Sequence, residues 1–149
     1  MSRRYAYFPG CSAKNSCQEL DTSTHAVARV FGIELVELEN PGCTGAREFR
    51  SISERVHLAA NGRILALAEQ LGLDLVVVCD TCLLNLREVN QRLRDDAVAA
   101  GEVNELLAQD GLSYSGKVEV KHFLWVLTED IGLEPLRARV TTPLNGLRV

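Results

Sequence analysis

Apolar residues recur along this chain with two spacings, one typical of strands and one typical of helices. The short runs at 4–8, 33–38, 73–78 and 118–120 predict strands. The third of these is almost wholly apolar, which is typical of a central parallel strand buried on both faces. Apolar residues at helical spacing predict helices over residues 19–31, 51–70, 81–94, 95–108 and 123–131.

Strands that are separated by helices predict an α/β, Rossmann-like layered fold. We expect a mostly parallel sheet of about four strands flanked by helices, because the helical segments are long enough to be the crossovers that parallel strands need. Ser51 and Glu54 have the spacing of a capping box and predict the start of the second helix. Residues 1–136 form the predicted domain, and residues 137–149 read as a linker.

The composition limits which kinds of protein, partner and cellular location this chain can have. The 149 residues, 46% hydrophobic and 24% charged, suit one ordered globular domain. A net charge of -4 argues against nucleic acid as a partner, since there is no surplus of positive charge for phosphates. No apolar run approaches the length of a membrane span, and the N-terminus does not resemble a secretory signal, so we expect a cytoplasmic protein.

Four of the five cysteines follow predicted strands. Cys11 comes after the first strand, Cys43 after the second, and Cys79 closes the third. Cys82 lies in the first turn of the next helix. The carboxyl ends of parallel strands meet at one edge of the sheet, where ligands bind in such folds. The sequence therefore predicts that these four thiols bind a metal ion or an iron–sulfur cluster.

The residues around these cysteines favour thiolate chemistry. Gly10 and Gly42 precede two of the thiols and let the backbone come close to a bound group. Asp80 and Thr81 lie between the two cysteines of a CxxC motif at a helix start, where the helix dipole stabilises negative sulfur. We expect these two side chains, together with Thr44 beside Cys43, to form hydrogen bonds around the metal site that tune its properties.

Other interpretations of these residues remain open. A thioredoxin-like dithiol would explain the CxxC but would leave Cys11 and Cys43 without a role. Cys17 is not assigned as a ligand, and its role stays undecided. His122 follows the fourth strand and is a candidate catalytic proton donor or ligand; the alternative is a histidine bonded only to backbone.

Three segments carry a family resemblance: residues 7–12 (YFPGCS), 39–45 (ENPGCTG) and 78–86 (VCDTCLLNL). They resemble the cysteine-rich "CCG" domain of the B-type subunit of heterodisulfide reductase and of related iron–sulfur oxidoreductase subunits. Residues 120–124 (VKHFL) extend the similarity. The resemblance implies an unusual non-cubane iron–sulfur cluster in each of two tandem domains. It also implies cleavage of a disulfide with electrons from a partner subunit.

Two departures from the family pattern change this expectation. Thr44 stands where the family has the second of two adjacent cysteines, so one thiolate is missing. Four thiolates suit a [4Fe–4S] cluster, which we prefer, or a zinc ion; a non-cubane cluster remains an option. Residues 143–149 resemble the strand that leads into the family's second motif, so the chain reads as a first half with a linker towards a second domain.

The expected function is that of an iron–sulfur subunit in a heterodisulfide-reductase-like complex. Such a subunit transfers electrons to or from a disulfide, thiol or sulfur substrate. Its expected partners are a cluster-carrying electron-donor subunit and a second CCG domain, and the isolated half should be inactive. The alternative is a structural domain of a redox complex whose sheet edge is held together by zinc.

Overall fold

The computed structural model describes residues 3–143, 145–146 and 148. Its sheet has the strand order β2-β1-β3-β4, and all three strand pairs are parallel. The predicted α/β fold with a parallel sheet is therefore confirmed. The strands are β1 (Arg3–Phe8), β2 (Ile33–Glu37), β3 (Leu75–Val77) and β4 (Val120–His122).

Eight α-helices connect or follow these strands in the described residues. A 3₁₀ turn at Ala108–Asp110 follows the sixth helix, and a π-helical stretch at Val126–Ile131 follows the seventh. None of the described helices is both long and apolar enough to cross a membrane. The helices are α1 (Gly10–Lys14), α2 (Gln18–Val30), α3 (Glu48–Ile52), α4 (Glu54–Gln70), α5 (Asp80–Asp95), α6 (Ala97–Leu107), α7 (Phe123–Trp125) and α8 (Leu133–Arg139).

The two faces of the sheet each cover a separate apolar cluster. Leu75 and Val77 of the central strand pack into the cluster that includes α4, α5 and α6. Val76 and Val78 pack into the opposite cluster, which includes α1, α2 and the segment after β4. This alternation sets the strand register, because a shift by one residue would exchange the two faces.

Two predicted elements differ from the structure at their ends. The single helix predicted over 51–70 is two helices, because Ser53 adopts an extended conformation with φ of −162° and separates α3 from α4. The predicted capping box at Ser51 is wrong, since the Ser53 side chain accepts the hydrogen bond from the Val56 amide. The predicted fourth strand is displaced towards 120–122, and the Val118 carbonyl instead accepts side-chain hydrogen bonds.

The C-terminal end of the described chain contains a helix that the sequence did not predict. Helix α8 runs from Leu133 to Arg139 and so crosses the predicted boundary at residue 136. Leu136 packs against the apolar cluster of α2, which attaches this helix to the domain. The segment 143–149, predicted to resemble a strand leading into a second domain, lies partly outside the described residues, and the linker stays a prediction.

The strand order reverses its direction between β1 and β3. From β1 the chain moves to β2 on one side and then crosses to β3 on the other side. The connections after β1 and β3 therefore diverge, and ligands bind in α/β sheets at such a switch point, outside the carboxyl ends of the strands. Cys11 and Cys79 lie in these two connections.

Substitution of Gly62, which lies at the contact between α4 and α6, tests how closely these two helices pack. A Cβ atom on Gly62 would lie 2.8 Å from the Val103 Cγ1 atom. We expect Gly62→Ala to lower the free energy of unfolding by about 1 kcal/mol, because an overpacking cost of about 1–3 kcal/mol exceeds the helix-propensity gain of about 1 kcal/mol. Chemical denaturation measures this difference.

Gly101→Ala is the matched control, since Gly101 lies in α6 with open space around its Cβ position. It should raise the stability by up to about 1 kcal/mol. Equal stabilisation by both alanine substitutions would contradict the packing described for α4 and α6.

A partly buried carboxylate links the segment after β4 to the sheet. Asp130 accepts hydrogen bonds from Lys121 at 2.8 Å and from the Tyr5 hydroxyl at 2.8 Å. Burial alone would raise the pKa of Asp130, but the hydrogen bonds from these two groups outweigh it and hold the pKa below its usual value. The carboxylate therefore stabilises the fold at neutral pH, and this contribution is lost as the pH falls through the lowered pKa.

We expect Asp130→Asn to lower the free energy of unfolding by about 1 kcal/mol near pH 7. The difference from the unmodified chain should be complete above about pH 5 and should shrink below about pH 4. Urea denaturation at several pH values measures it. Glu134→Gln, which removes an exposed ion pair with Arg137, is the control and should change little. A difference that grows in acid would contradict the assignment.

Candidate functional site

The backbone of the first connection lies directly against the CxxC motif. Gly10 opens α1 with φ of +77°, a conformation that favours glycine. A Cβ atom there would lie 3.3 Å from the Cys82 Sγ atom and 4.0 Å from the Cys79 Cβ atom. The β1–β3 pairing, with Phe8 opposite Val77, produces this approach. Cys11 follows immediately, with an exposed side chain.

Cys82 is the buried thiol of the site. Only 6% of its surface is exposed. Burial raises the pKa of Cys82 to about 12; the Thr44 hydroxyl opposes the rise, while the nearby Cys79 and Cys43 thiols add to it. Without a bound cation this sulfur stays protonated at neutral pH. A soft metal centre supplies the positive charge that a buried thiolate needs.

The connection after β2 brings Cys43 to the same edge. The Thr44 hydroxyl donates to the Cys82 Sγ atom at 3.5 Å. The Gly45 amide donates to the Cys43 Sγ atom at 3.3 Å. Gly45 has φ of +77°, and a Cβ atom there would clash with the Phe49 ring at 2.0 Å. Only glycine fits this position, so the amide donor to the sulfur depends on it. Gly42, the other predicted glycine, also has a positive φ.

Two asparagines and an arginine from helices α4 and α5 donate hydrogen bonds to backbone carbonyls of this connection. The Asn61 side chain of α4 donates to the Thr44 carbonyl at 3.1 Å, and Asn85 of α5 donates to the Ala46 carbonyl at 2.9 Å. Arg63 donates to the Asn40 carbonyl. Asn40 and Ala46 have positive φ values of 46° and 45°, which cost energy for residues with a side chain. The hydrogen bonds offset that strain and keep the connection in place.

Sequence reasoning missed these asparagines. A signal for them was present, because Asn61 and Asn85 interrupt the apolar faces that predict α4 and α5. A buried amide needs hydrogen-bond partners, so an asparagine at a core-facing helical position indicates a backbone segment packed against that helix.

His122 lies beside the CxxC motif at the end of β4. Its Nδ1 atom accepts a hydrogen bond from the Leu124 amide at 3.2 Å, so the proton of the neutral ring lies on Nε2. The Nε2 atom is 3.7 Å from the Asp80 Oδ1 atom. Asp80 is largely exposed, as is Thr81. Hydrogen bonding from these two residues to the sulfurs stays a prediction.

Cys17 occupies a different local setting. It is the residue that precedes α2, and it is half-buried. Its sulfur lies 3.8 Å from the Ser16 hydroxyl. All five cysteines are free thiols.

The donor chemistry of the edge fits a thiolate-bound metal centre. The Cys79 and Cys43 thiols both contribute to the raised pKa of Cys82, and a hydroxyl and an amide donate hydrogen bonds to the Cys82 and Cys43 sulfurs. Such donors stabilise ligand sulfur. Within residues 3–143, 145–146 and 148, no group of three or more His, Cys, Asp and Glu side chains has the arrangement of a metal site.

Curated relatives match nearly the whole chain. A protein of Wolinella succinogenes described as an 8-methylmenaquinol:fumarate reductase membrane anchor subunit is 39% identical over 149 residues, which cover 100% of this chain and 51% of that protein. A protein of Archaeoglobus profundus, described as similar to the B-type subunit of heterodisulfide reductase, is 31% identical over 147 residues, covering 98% of this chain and 49% of that protein.

A third relative comes from Methanosarcina acetivorans and is described as the B-type subunit of a ferredoxin/F(420)H(2)-dependent CoB-CoM heterodisulfide reductase. It is 29% identical over 143 residues, which cover 95% of this chain and 48% of that protein. The chain thus spans about half the length of the curated relatives it matches. These relatives are subunits of oxidoreductase complexes.

The fold is also similar to that of a solved structure. A hypothetical protein from Helicobacter pylori superposes with a TM-score of 0.76 at 23% identity, covering 86% of this chain and 26% of that one. The family model for the CCG cysteine-rich domain matches residues 5–87, which is more than half of the chain and contains Cys11, Cys43, Cys79 and Cys82. The chain belongs to the CCG cysteine-rich domain family.

Proposed function

We propose that this chain binds an iron–sulfur cluster in an oxidoreductase complex related to heterodisulfide reductase. Cys11, Cys43, Cys79 and Cys82 are the proposed ligands. The observation that carries the proposal is the environment of the Cys82 sulfur, which is buried, receives a hydrogen bond from the Thr44 hydroxyl and lies directly against the Gly10 backbone that precedes Cys11. A sulfur in this setting is stable as a thiolate only next to bound positive charge.

The number of thiols favours a [4Fe–4S] cluster over a non-cubane one. Four cysteines are the usual ligand count for a cubane. Thr44 contributes a hydroxyl where the family pattern has a fifth thiol, and that hydroxyl donates to Cys82. A bound cluster would supply one-electron chemistry at the sheet edge.

The residues of this chain would prepare the site for a disulfide or sulfur substrate. The Gly45 amide and the Thr44 hydroxyl stabilise negative charge on two ligand sulfurs. His122 lies near Asp80, at the start of α5, and is the proposed donor of a proton to a leaving thiolate; the proton leaves Nε2 of the doubly protonated ring, in which Nδ1 no longer accepts from the Leu124 amide.

The proposed partners are the rest of the complex. The relatives are about twice as long as this chain, and we propose a second CCG domain and a cluster-carrying electron-donor subunit as its partners. Leu84, two residues after Cys82 in α5, and Leu124, two residues after His122, have exposed side chains that such a partner would cover. The isolated half should lack full activity. Five free thiols suit a reducing compartment, and we place the protein in the cytoplasm.

A zinc ion is the alternative occupant. Four thiolates form the usual tetrahedral set for structural zinc, and the site joins three connections of one sheet edge. A zinc ion there would hold these connections together without transferring electrons.

Metal analysis of anaerobically purified protein separates the two occupants. We expect a brown protein with about four iron and four sulfide per chain, and broad visible absorption from thiolate-to-iron charge transfer. Iron and sulfide assays, absorption spectra and EPR of the reduced protein measure this. A colourless protein with one zinc per chain would reject electron transfer by this domain.

A cysteine substitution separates the cluster from a simple dithiol. Cys43→Ser should remove or degrade the cluster, because it deletes one of four ligands, and iron content should fall accordingly. Cys17→Ser is the matched control and should retain the iron of the unmodified chain. If Cys43→Ser keeps full iron while Cys17→Ser loses it, the ligand assignment is wrong.

A further inference from the structure

Thr44 is a buried polar residue at the centre of the thiol edge. Only 1% of its surface is exposed. Its hydroxyl donates to the Cys82 Sγ atom at 3.5 Å. A buried hydroxyl is costly unless its hydrogen has an acceptor, and here the acceptor is the most buried sulfur of the site. The contact therefore links the connection after β2 to the first turn of α5.

Asn61 fixes the backbone of Thr44 from the opposite side. Its side chain is fully buried, and the amide nitrogen donates to the Thr44 carbonyl at 3.1 Å and to the His57 carbonyl at 2.9 Å. The Asn61 Oδ1 atom is buried and has no hydrogen-bond partner among the described residues. An unpaired amide oxygen in the core is unfavourable for stability. Asn61 therefore contributes to the structure through the two hydrogen bonds that it donates.

Asn85 adds a second attachment two residues further along. It donates to the Ala46 carbonyl at 2.9 Å, and it lies one turn after Cys82 on α5. The backbone of residues 44–46 is thus bonded to both α4 and α5. These two bonds fix the backbone from which the buried Thr44 side chain reaches the Cys82 sulfur.

We propose that Thr44 is a positioning residue for Cys82: its hydroxyl, fixed through Asn61, orients the Cys82 sulfur and stabilises the negative charge of that sulfur when it binds the metal centre. The proposal rests on the proposed function, because it takes Cys82 as a ligand. A hydrogen bond from a hydroxyl to a thiolate is stronger than one to a neutral thiol, so the bond strengthens on binding.

Two consequences follow for the bound state. Loss of the hydroxyl should weaken metal binding, since residues that hydrogen-bond to ligands typically contribute about 10–100-fold to affinity. It should also lower the reduction potential of a bound cluster, because hydrogen bonds to ligand sulfur favour the more negatively charged reduced form. Neither effect depends on the identity of a substrate.

Co²⁺ is a suitable probe, because its thiolate charge-transfer band reports sulfur ligation directly. The metal-free 149-residue chain is titrated with Co²⁺ under anaerobic conditions. Thr44→Val, which keeps the shape but lacks the hydroxyl, should bind Co²⁺ about tenfold more weakly. Thr44→Ser, which keeps the hydroxyl, should restore affinity close to that of the unmodified chain.

Thr24→Val is the matched control. Thr24 is also a buried threonine, but its hydroxyl donates to the Leu20 carbonyl within α2. This variant should bind Co²⁺ as the unmodified chain does. Circular dichroism and thermal unfolding establish that each variant is folded. If Thr44→Val does not fold, the comparison of Thr44→Ser with Thr44→Ala replaces it and has the same expected tenfold difference.

The outcomes separate this proposal from the function it rests on. If Thr44→Val binds Co²⁺ through thiolates as tightly as Thr24→Val, the positioning role is rejected while the thiol site stands. Equal weakening by Thr44→Ser and Thr44→Val also rejects it, because the hydroxyl would then have no part. An unmodified chain that binds neither Co²⁺ through thiolates nor iron rejects both proposals.

Discussion

The parallel pairing of β1 with β3 is the constraint on which the thiol site depends. Phe8 lies opposite Val77, so the residues that follow each strand leave the sheet side by side. Gly10 can then approach the Cys82 sulfur to a distance that leaves little room for any side chain. Because β2 lies on the other side of β1, the two connections diverge.

The connection after β2 is held next to the CxxC motif by hydrogen bonds from polar side chains. Residues 40 and 46 have positive φ values without being glycine, so this segment would not adopt its conformation by itself. Asn61, Asn85 and Arg63 bond to its carbonyls from the helices below. Cys43 and Thr44 thus reach the CxxC motif through tertiary contacts. The strain and the hydrogen bonds together give the site a rigid side next to an exposed one.

The family match and the hydrogen-bond donors at the sulfurs lie in the same part of the chain. The family model covers the segment that contains all four thiols, and the structure shows hydrogen-bond donors at two of the sulfurs. Thr44 is where this chain departs from the family's paired cysteines. In this chain the Thr44 hydroxyl donates a hydrogen bond to the Cys82 sulfur. The difference in sequence therefore corresponds to a specific contact in the structure.

The sequence by itself determined the alternation of strands and helices and the parallel sheet, and it placed the cysteines in the connections that follow three of the strands. These follow from local hydrophobic period and from the rule that parallel strands end on the same side. Helix α8 and the break at Ser53 were not predictable with the same ease, since both depend on short-range capping and on packing against the finished core.

Only the tertiary structure decided which sulfur is buried, that Thr44 donates to it, and that Asn61 holds Thr44 in place. These contacts join residues from separate helices and connections. Their partners are chosen by distance and desolvation in three dimensions, which the spacing of residues along a chain does not encode.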